Sequence, residues 1–368
     1  MAERSELITA RRKLMMISPV FPPAIGGIQT ISAGLAERLT EFDLSVVTLE
    51  EPGWEGWDRQ VPYRVSRTAN HPAGGRRAVT RMNLLGLNRA LRSRPDVILA
   101  MHVRAAYASA IISRIERARW VQYYHAREIS EFPKAAKLAI RLAQGHAGPS
   151  RYTDSLLREH GLRARMDLVP PAIPPYRAEN RARRRNLIFT VSRLSDPHKG
   201  HDMALRAMPA ILRELPDARW VIAGDGPLRA SLERLARDLR IAEAIEWVGA
   251  IDDLQRDKLF ATAEVFLMPS RVPRDKKGGE GFGIVYIEAA AAGLPSICAN
   301  EGGATDAVKE GYSGYRVDPR DPNAIATAVV RLLRDRSALH QMSIQAREWA
   351  GEFTWERTME AMRAVLDR

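Results

Sequence analysis

The chain has 368 residues, 45% of them apolar and 27% charged, enough to bury two sizeable cores, so a small disulfide scaffold is excluded. No apolar run approaches the ~18 residues a bilayer crossing requires and no signal-peptide pattern opens the chain, so it reads as a soluble cytoplasmic protein. The formal charge of +12 is uneven: residues 1–177 hold 27 Lys and Arg against 16 Asp and Glu, and residues 178–368 hold 29 against 28.

Short β-branched or apolar runs alternate with longer helical patterns throughout, the mark of parallel α/β layers. After a polar stretch, 1–12, that reads as frayed, strands are predicted at 14–18, 44–49, 97–100 and 120–124, with a helix over 30–39. Between Arg59 and Arg94 lie nine arginines and no acid. Within that run Arg76, Arg77, Arg81, Arg89 and Arg92 accompany Met82, Leu84, Leu85, Leu87 and Leu91. Such a segment suits an anionic membrane or an anionic or lipid-linked substrate, or it is a solvated arginine-rich helix. Nucleic acid is not expected, because no recognition motif accompanies the charge. The proline-rich stretch 169–175 and the charged stretch 181–185 mark the best domain boundary. Beyond it, strands are predicted at 187–191, 220–223, 245–248, 265–268 and 296–299. Helices are predicted at 203–215, 228–239, 338–350 and 355–366. Cys298, the single cysteine, reads as a buried thiol in the last of these strands.

Three segments carry candidate chemistry. Ser18-Pro-Val-Phe-Pro-Pro-Ala-Ile-Gly-Gly-Ile-Gln29 joins the first strand to the first helix, and Gly26 and Gly27 let backbone amides approach an anion. A glycine turn that only reverses the chain would look the same, and the Walker and Rossmann fingerprints are absent. Ser192-Arg-Leu-Ser-Asp-Pro-His-Lys-Gly-His-Asp202 sets Arg193 and Lys199 at the carboxyl edge of a strand. Two cations there suit a departing diphosphate, with surface ion pairing as the alternative. The third and most specific segment is Gly278-Gly-Glu-Gly-Phe-Gly-Ile-Val-Tyr-Ile-Glu-Ala-Ala-Ala-Ala-Gly293. It puts Glu280 at the mouth of a glycine loop and Glu288 in an apolar helical run. A buried carboxylate needs donors, so Glu288 suits a pair of ribose hydroxyls or a structural cation. The amides of Gly281, Phe282, Gly283 and Ile284 suit phosphate or sugar oxygens.

Gly224-Asp-Gly-Pro227 reads as a scaffold turn. Val248 and Gly249 end a strand, where their backbone meets a flat base or simply closes the sheet. His125-Ala-Arg-Glu128 follows the strand at 120–124, leaving His125 either a cleft-facing or a core role. No Asp-x-Asp and no metal-ligand spacing occur, so metal-dependent transfer is disfavoured. Without a Gly-x-Ser-x-Gly elbow, acyl chemistry lacks a nucleophile.

These residues resemble the retaining glycosyltransferases of the GT4 family. That resemblance implies the GT-B fold, an α/β architecture of two Rossmann-like doubly wound domains facing across a cleft. Glu280-x7-Glu288 matches the family's E-x7-E signature. Ser192-Arg-Leu with Lys199-Gly200 matches its basic pair, and Gly224-Asp-Gly-Pro matches its G-x-G-P turn. Phe21-Pro-Pro with Gly26-Gly27-Ile28-Gln29 and the run from Glu280 to Tyr286 are similar to the phosphatidylinositol mannosyltransferase branch. The chain departs from the pattern at Ala126 and Ala172, which replace glycines, and in a longer loop between Arg193 and Lys199.

The resemblance implies an acceptor-side domain over 1–177, a nucleotide-sugar domain over 178–345, and a helical segment, 346–368, that can pack back on the first. It assigns Arg193 and Lys199 to the donor diphosphate, Glu288 to the ribose, and Glu280 with the amides of Phe282 and Gly283 to the donor sugar. Gly27 would meet the distal phosphate, and His125 would sit near the anomeric carbon. No cofactor and no metal are implied, since the donor is itself a nucleotide sugar, GDP-mannose or a UDP-sugar. The leading expectation is α-linked transfer of mannose to a lipid-linked or membrane-proximal acceptor. Gln29, Arg76, Arg77 and Arg81 would face acceptor or membrane, and the enzyme would work in the cytoplasm, at the periphery of the plasma membrane's inner face. The alternatives are a UDP-sugar enzyme with a soluble or saccharide acceptor, a phosphorylase or sucrose- or trehalose-type synthase, and a non-catalytic sugar-nucleotide or membrane-binding module.

Overall fold

A computed structural model describes residues 11–71, 74–174, 176, 182–273 and 278–368. Residues 1–10, Pro175, Arg181 and the expected boundary at 177–178 lie outside the described residues. The chain divides into two units. Unit 1 takes Met1–Gly148, Leu156–Val169 and Met359–Arg368, and unit 2 takes Pro149–Ser155 and Pro170–Thr358. The main crossing thus falls at the head of the proline-rich stretch, just after Val169 N–H bonds Gly148 O.

Among the described residues unit 1 is built on seven parallel strands. They are β1 (Lys13–Ile17), β2 (Asp43–Leu49), β3 (Arg64–Thr68), β4 (Val97–Ala100), β5 (Arg119–Tyr123), β6 (Gly145–Gly148) and β7 (Asp167–Leu168). Their order is β3-β2-β1-β4-β5-β6-β7. Covered on both faces, the central strands are apolar along their length rather than alternating: β4 is Val-Ile-Leu-Ala, all buried. The first helix, Gly27–Arg38, begins three residues before the expected start, so Gly26 caps it and Gly27 opens it. The final residues bind back to this unit through Arg12 to Asp367 (2.8 Å), Arg119 to Val365 O (3.0 Å) and Arg368 to Asp167 (2.9 Å).

Unit 2 carries a six-stranded parallel sheet. Its strands are β8 (Leu187–Val191), β9 (Arg219–Ala223), β10 (Ile245–Gly249), β11 (Val265–Met268), β12 (Ser296–Ala299) and β13 (Gly314–Val317), in the order β10-β9-β8-β11-β12-β13. Successive residues of β8 feed opposite faces, as a two-residue period requires. Ile188 joins the core beneath the helices His201–Glu214 and Pro322–Arg334. Leu187 and Phe189 join Phe260, Phe266 and Tyr286 on the other face. Cys298 is buried in β12 as expected, and burial pushes its thiol well up. Both sheets have the Rossmann order, which reverses at β1/β4 in unit 1 and at β8/β11 in unit 2. Loops leave in opposite directions there, and ligands of such sheets bind at the carboxyl edge of the reversal. No helix of the described residues is long and apolar enough to cross a membrane.

Candidate active site

The loops that carry the candidate residues of unit 2 leave on either side of the β8/β11 reversal. After β8 the chain runs through Arg193 to Lys199 and turns at Gly200, whose φ of 81° favours glycine. A Cβ on Gly200 would lie 2.1 Å from Pro269 O, so glycine alone lets this loop press against the one after β11. Arg271 clamps the contact, donating its N–H to His198 O at 2.7 Å and pairing with Asp202 at 2.8 and 3.1 Å. Gly224 and Gly226 buttress the same loop from β9. A Cβ on Gly224 would meet Ser192 O at 1.9 Å, and Leu194 N–H bonds Asp225 O at 2.9 Å. The Gly224-Asp-Gly-Pro turn is therefore scaffold for Arg193.

Lys199 Nζ lies 2.5 Å from Glu280 Oε2. Burial alone would raise the Glu280 pKa, but the Lys199 ammonium, through its charge and hydrogen bond, holds the carboxyl below the ordinary value. Arg193 is exposed, and its guanidinium has no partner among the described residues. The Glu280 loop is itself pinned: Gly303 N–H donates to Glu280 O at 2.7 Å and Ser150 Oγ to Gly281 O at 2.6 Å. Phe282 packs on Phe353, ring centres 5.5 Å apart. Gly283, at φ 89°, caps the helix Ile284–Ala291, which leaves Ile284 in its first turn and Glu288 in its second. Burial raises the Glu288 pKa, opposed by Arg256, whose Nη1 is 3.9 Å from Glu288 Oε1. Val248 and Gly249 end β10, and Gly249 O accepts the Gly224 N–H at 2.6 Å.

In unit 1, His125 caps the short helix Ala126–Glu131 just beyond β5. Its Nε2 is 3.0 Å from Met101 O, which makes Nε2–H the donor, and burial takes its pKa down to about 4. Glu128, buried, accepts the His125 N–H at 2.9 Å through Oε1 and the Val103 N–H at 3.1 Å through Oε2, with His102 Nδ1 at 2.7 Å. Glu128 thus ties the ends of β4 and β5 together. Gln29 lies in the first turn of Gly27–Arg38, while Arg76, Arg77 and Arg81 are exposed on the helix Arg76–Ser93. His102, Arg256 and the Arg271–Asp202 clamp are not legible in the sequence. An isolated histidine or arginine carries no motif, and only the topology gathers them. Among the described residues no three His, Cys, Asp or Glu side chains form a metal-holding group.

Residues 174–349 match the family model described as "Glycosyl transferases group 1". Across 94% of this chain and 95% of the relative, the sequence is 31% identical to a Mycobacterium tuberculosis protein. That protein is described as a GDP-mannose-dependent alpha-(1-6)-phosphatidylinositol monomannoside mannosyltransferase. The chain belongs to the GT4 glycosyltransferases. This glycosyltransferase is also 31% identical, over 96% of its length and 97% of the relative, to the protein of the same description from Mycolicibacterium smegmatis. Its fold matches that of Anabaena Alr3699/HepE, crystallised with UDP and glucose, with a TM-score of 0.79 and 19% identity over 97% and 99% of the two chains. The glycosyltransferase thus has the GT-B architecture, two Rossmann-like parallel-sheet domains.

Proposed function

We propose that this glycosyltransferase moves a mannosyl group from GDP-mannose to a lipid-linked or membrane-proximal acceptor, retaining configuration to give an α linkage and needing no metal ion. The observation that carries the proposal is the Lys199–Glu280 contact at the β8/β11 reversal of unit 2. It sets a cation for phosphate beside a carboxylate for sugar hydroxyls, at the sheet edge where nucleotides bind. The mannosyltransferase relatives support the choice of donor and acceptor class.

In this reading Arg193 and Lys199 grip the diphosphate and stabilise the charge that builds as the bond from the anomeric carbon to the phosphate oxygen breaks. Glu288 accepts from the ribose hydroxyls, beside a base lying on Val248 and Gly249. Glu280 and the amides from Gly281 to Ile284 orient the sugar. The acceptor hydroxyl attacks the same face that the phosphate leaves, and its proton passes to the departing phosphate oxygen. His125, neutral and fixed by Met101 O, acts as a hydrogen-bonding edge and not as the carrier of that proton. Gln29 lies towards the acceptor, and Arg76, Arg77 and Arg81 towards anionic lipid at the inner face of the plasma membrane.

A thermal-shift panel of GDP, GDP-mannose, UDP, UDP-glucose and ADP tests the donor, because a ligand that binds only the folded state raises its melting temperature. Selective stabilisation by the guanine pair is expected. Selective stabilisation by the uracil pair would replace this reading with a UDP-sugar enzyme, and no stabilisation by any would overturn it.

A further inference from the structure

The segment Pro149–Ser155 belongs to unit 2, although the chain before it, to Gly148, and after it, from Leu156, belongs to unit 1. Two of its side chains bracket the loop that carries Glu280. Tyr152 Oη donates to Gly278 O at 3.1 Å, and Ser150 Oγ donates to Gly281 O at 2.6 Å. The Arg151 N–H donates to Asp306 Oδ2 at 2.7 Å, and the Asp306 N–H to Gly303 O at 3.0 Å, which ties the turn at Gly303 to the same segment.

A peptide group is planar and trans, so its C=O and the N–H of the next residue point in opposite directions. The oxygen held by Ser150 is therefore one end of the group whose other end is the Phe282 N–H. Gly303 lies on the flat face of that group: a Cβ there would stand 2.2 Å from Gly281 O and 2.5 Å from Phe282 N. Both the edge and the face of the peptide are fixed. Among the described residues the Phe282 N–H meets no acceptor, so it is aimed without being engaged.

Ser150 is 1% exposed, and its Oγ also accepts the Thr153 N–H at 3.1 Å, in the first turn of the helix Arg151–Glu159. A hydroxyl has one proton to donate. Ser150 gives it to Gly281 O, so Thr153 Oγ1, 3.0 Å away, is the donor in its own contact with Ser150. Hydrogen bonds in such a chain polarise one another, and the chain ends on the Phe282 N–H.

We propose that Ser150 is a positioning residue of the transfer reaction, acting through the Gly281–Phe282 peptide to aim and polarise the Phe282 N–H towards oxygens of the donor sugar. The proposal rests on the reading above for the place of the donor.

Serine, threonine and aspartate all cap a helix, but an ionised aspartate has no proton to donate to a carbonyl. Ser150→Thr, Ser150→Asp and Ser150→Ala in the full chain therefore separate the cap from the relay. The readout is kcat for hydrolytic release of the nucleoside diphosphate from its sugar, which needs no particular acceptor. It is expected to fall roughly threefold to tenfold in Ser150→Ala and Ser150→Asp and to be restored in Ser150→Thr. The affinity for GDP, which carries no sugar, should stay that of the unaltered protein. Gly303→Ala displaces the same peptide without removing a donor or an acceptor, and should show the same split between turnover and GDP affinity. Full turnover in Ser150→Asp would reduce Ser150 to a helix cap and overturn the proposal. So would turnover in Ser150→Thr as low as in Ser150→Ala, or equal losses of GDP affinity and turnover across the series. The variants are compared on whichever of GDP-mannose and UDP-glucose the unaltered protein consumes, with GDP or UDP to match. Consumption of UDP-glucose alone would replace the donor reading while the variants still decide on Ser150. Full turnover in Ser150→Ala would strike Ser150 and leave the donor reading standing, and consumption of neither sugar would overturn both.

Discussion

The ammonium of Lys199 and the carboxylate of Glu280 stand 2.5 Å apart, yet they belong to two loops 81 positions apart in sequence, which leave the sheet of unit 2 on opposite sides of its reversal. In the proposed reading, a diphosphate arriving at that edge competes for Lys199 and frees Glu280 for the sugar. Lys199→Ala and Glu280→Gln are each expected to cut transfer by ~100-fold or more while circular dichroism is unchanged, because each removes a contact strongest in the transition state. Near-normal turnover in both variants would refute the site assignment.

Gly200 should be intolerant of any side chain. Its positive φ and the 2.1 Å approach of Pro269 O leave no room for a methyl group. Gly200→Ala should therefore destabilise unit 2 by about 1–3 kcal/mol or more, read as a lowered melting temperature, and should weaken nucleotide binding with it. Full stability together with full binding would show that the two loops do not depend on this contact.

Arg256 opposes the upward pull of burial on Glu288. Removing it by Arg256→Gln should raise the Glu288 pKa further, so that the carboxylate proposed to accept from ribose becomes protonated at a higher pH. The expected readout is an acidic limb of donor affinity displaced to higher pH, with affinity at high pH less affected. An unmoved limb would detach Arg256 from Glu288 in function.

Buried histidines, His125 among them, set an acid limit on stability. Burial takes His146 and His201 down to about 4 from 6.5. Below 6.5 the unfolded chain takes up protons that the folded chain refuses, so this contribution is complete above 6.5 and is lost as pH falls towards 4. By linkage each ring accounts for at most about 3 kcal/mol across that window. Melting temperatures should fall from pH 6.5 to 4, and His201→Gln should flatten the decline in unit 2. A steeper decline in that variant would contradict the assignment.

Most of the sheet framework was legible because buried parallel strands are near-continuous apolar runs, as in Val97–Ala100 and Val265–Met268. Strands with little apolar character were not. Arg64–Thr68 is an edge strand in the arginine-rich stretch, where Arg67 turns inward to Asp58 and to Leu49 O and Pro22 O. Gly145–Gly148 has a composition that disfavours strands and is held by its neighbours. The segment holding Glu280 and Glu288 was readable because its glycines and carboxylates sit close in sequence. The cation that compensates Glu288 comes from a separate helix, Asp253–Thr262, and Ser150 reaches Gly281 from 131 positions away. Spacing cannot show such partners, because tertiary packing alone creates them.

Calorimetric titration of GDP in the presence of EDTA reads whether a nucleotide diphosphate is held in unit 2 by side-chain cations. Binding by the unaltered protein is expected, weakened by roughly tenfold or more in Arg193→Ala and in Lys199→Ala. Affinity unchanged in both variants, or binding that appears only after manganese is added, would contradict it.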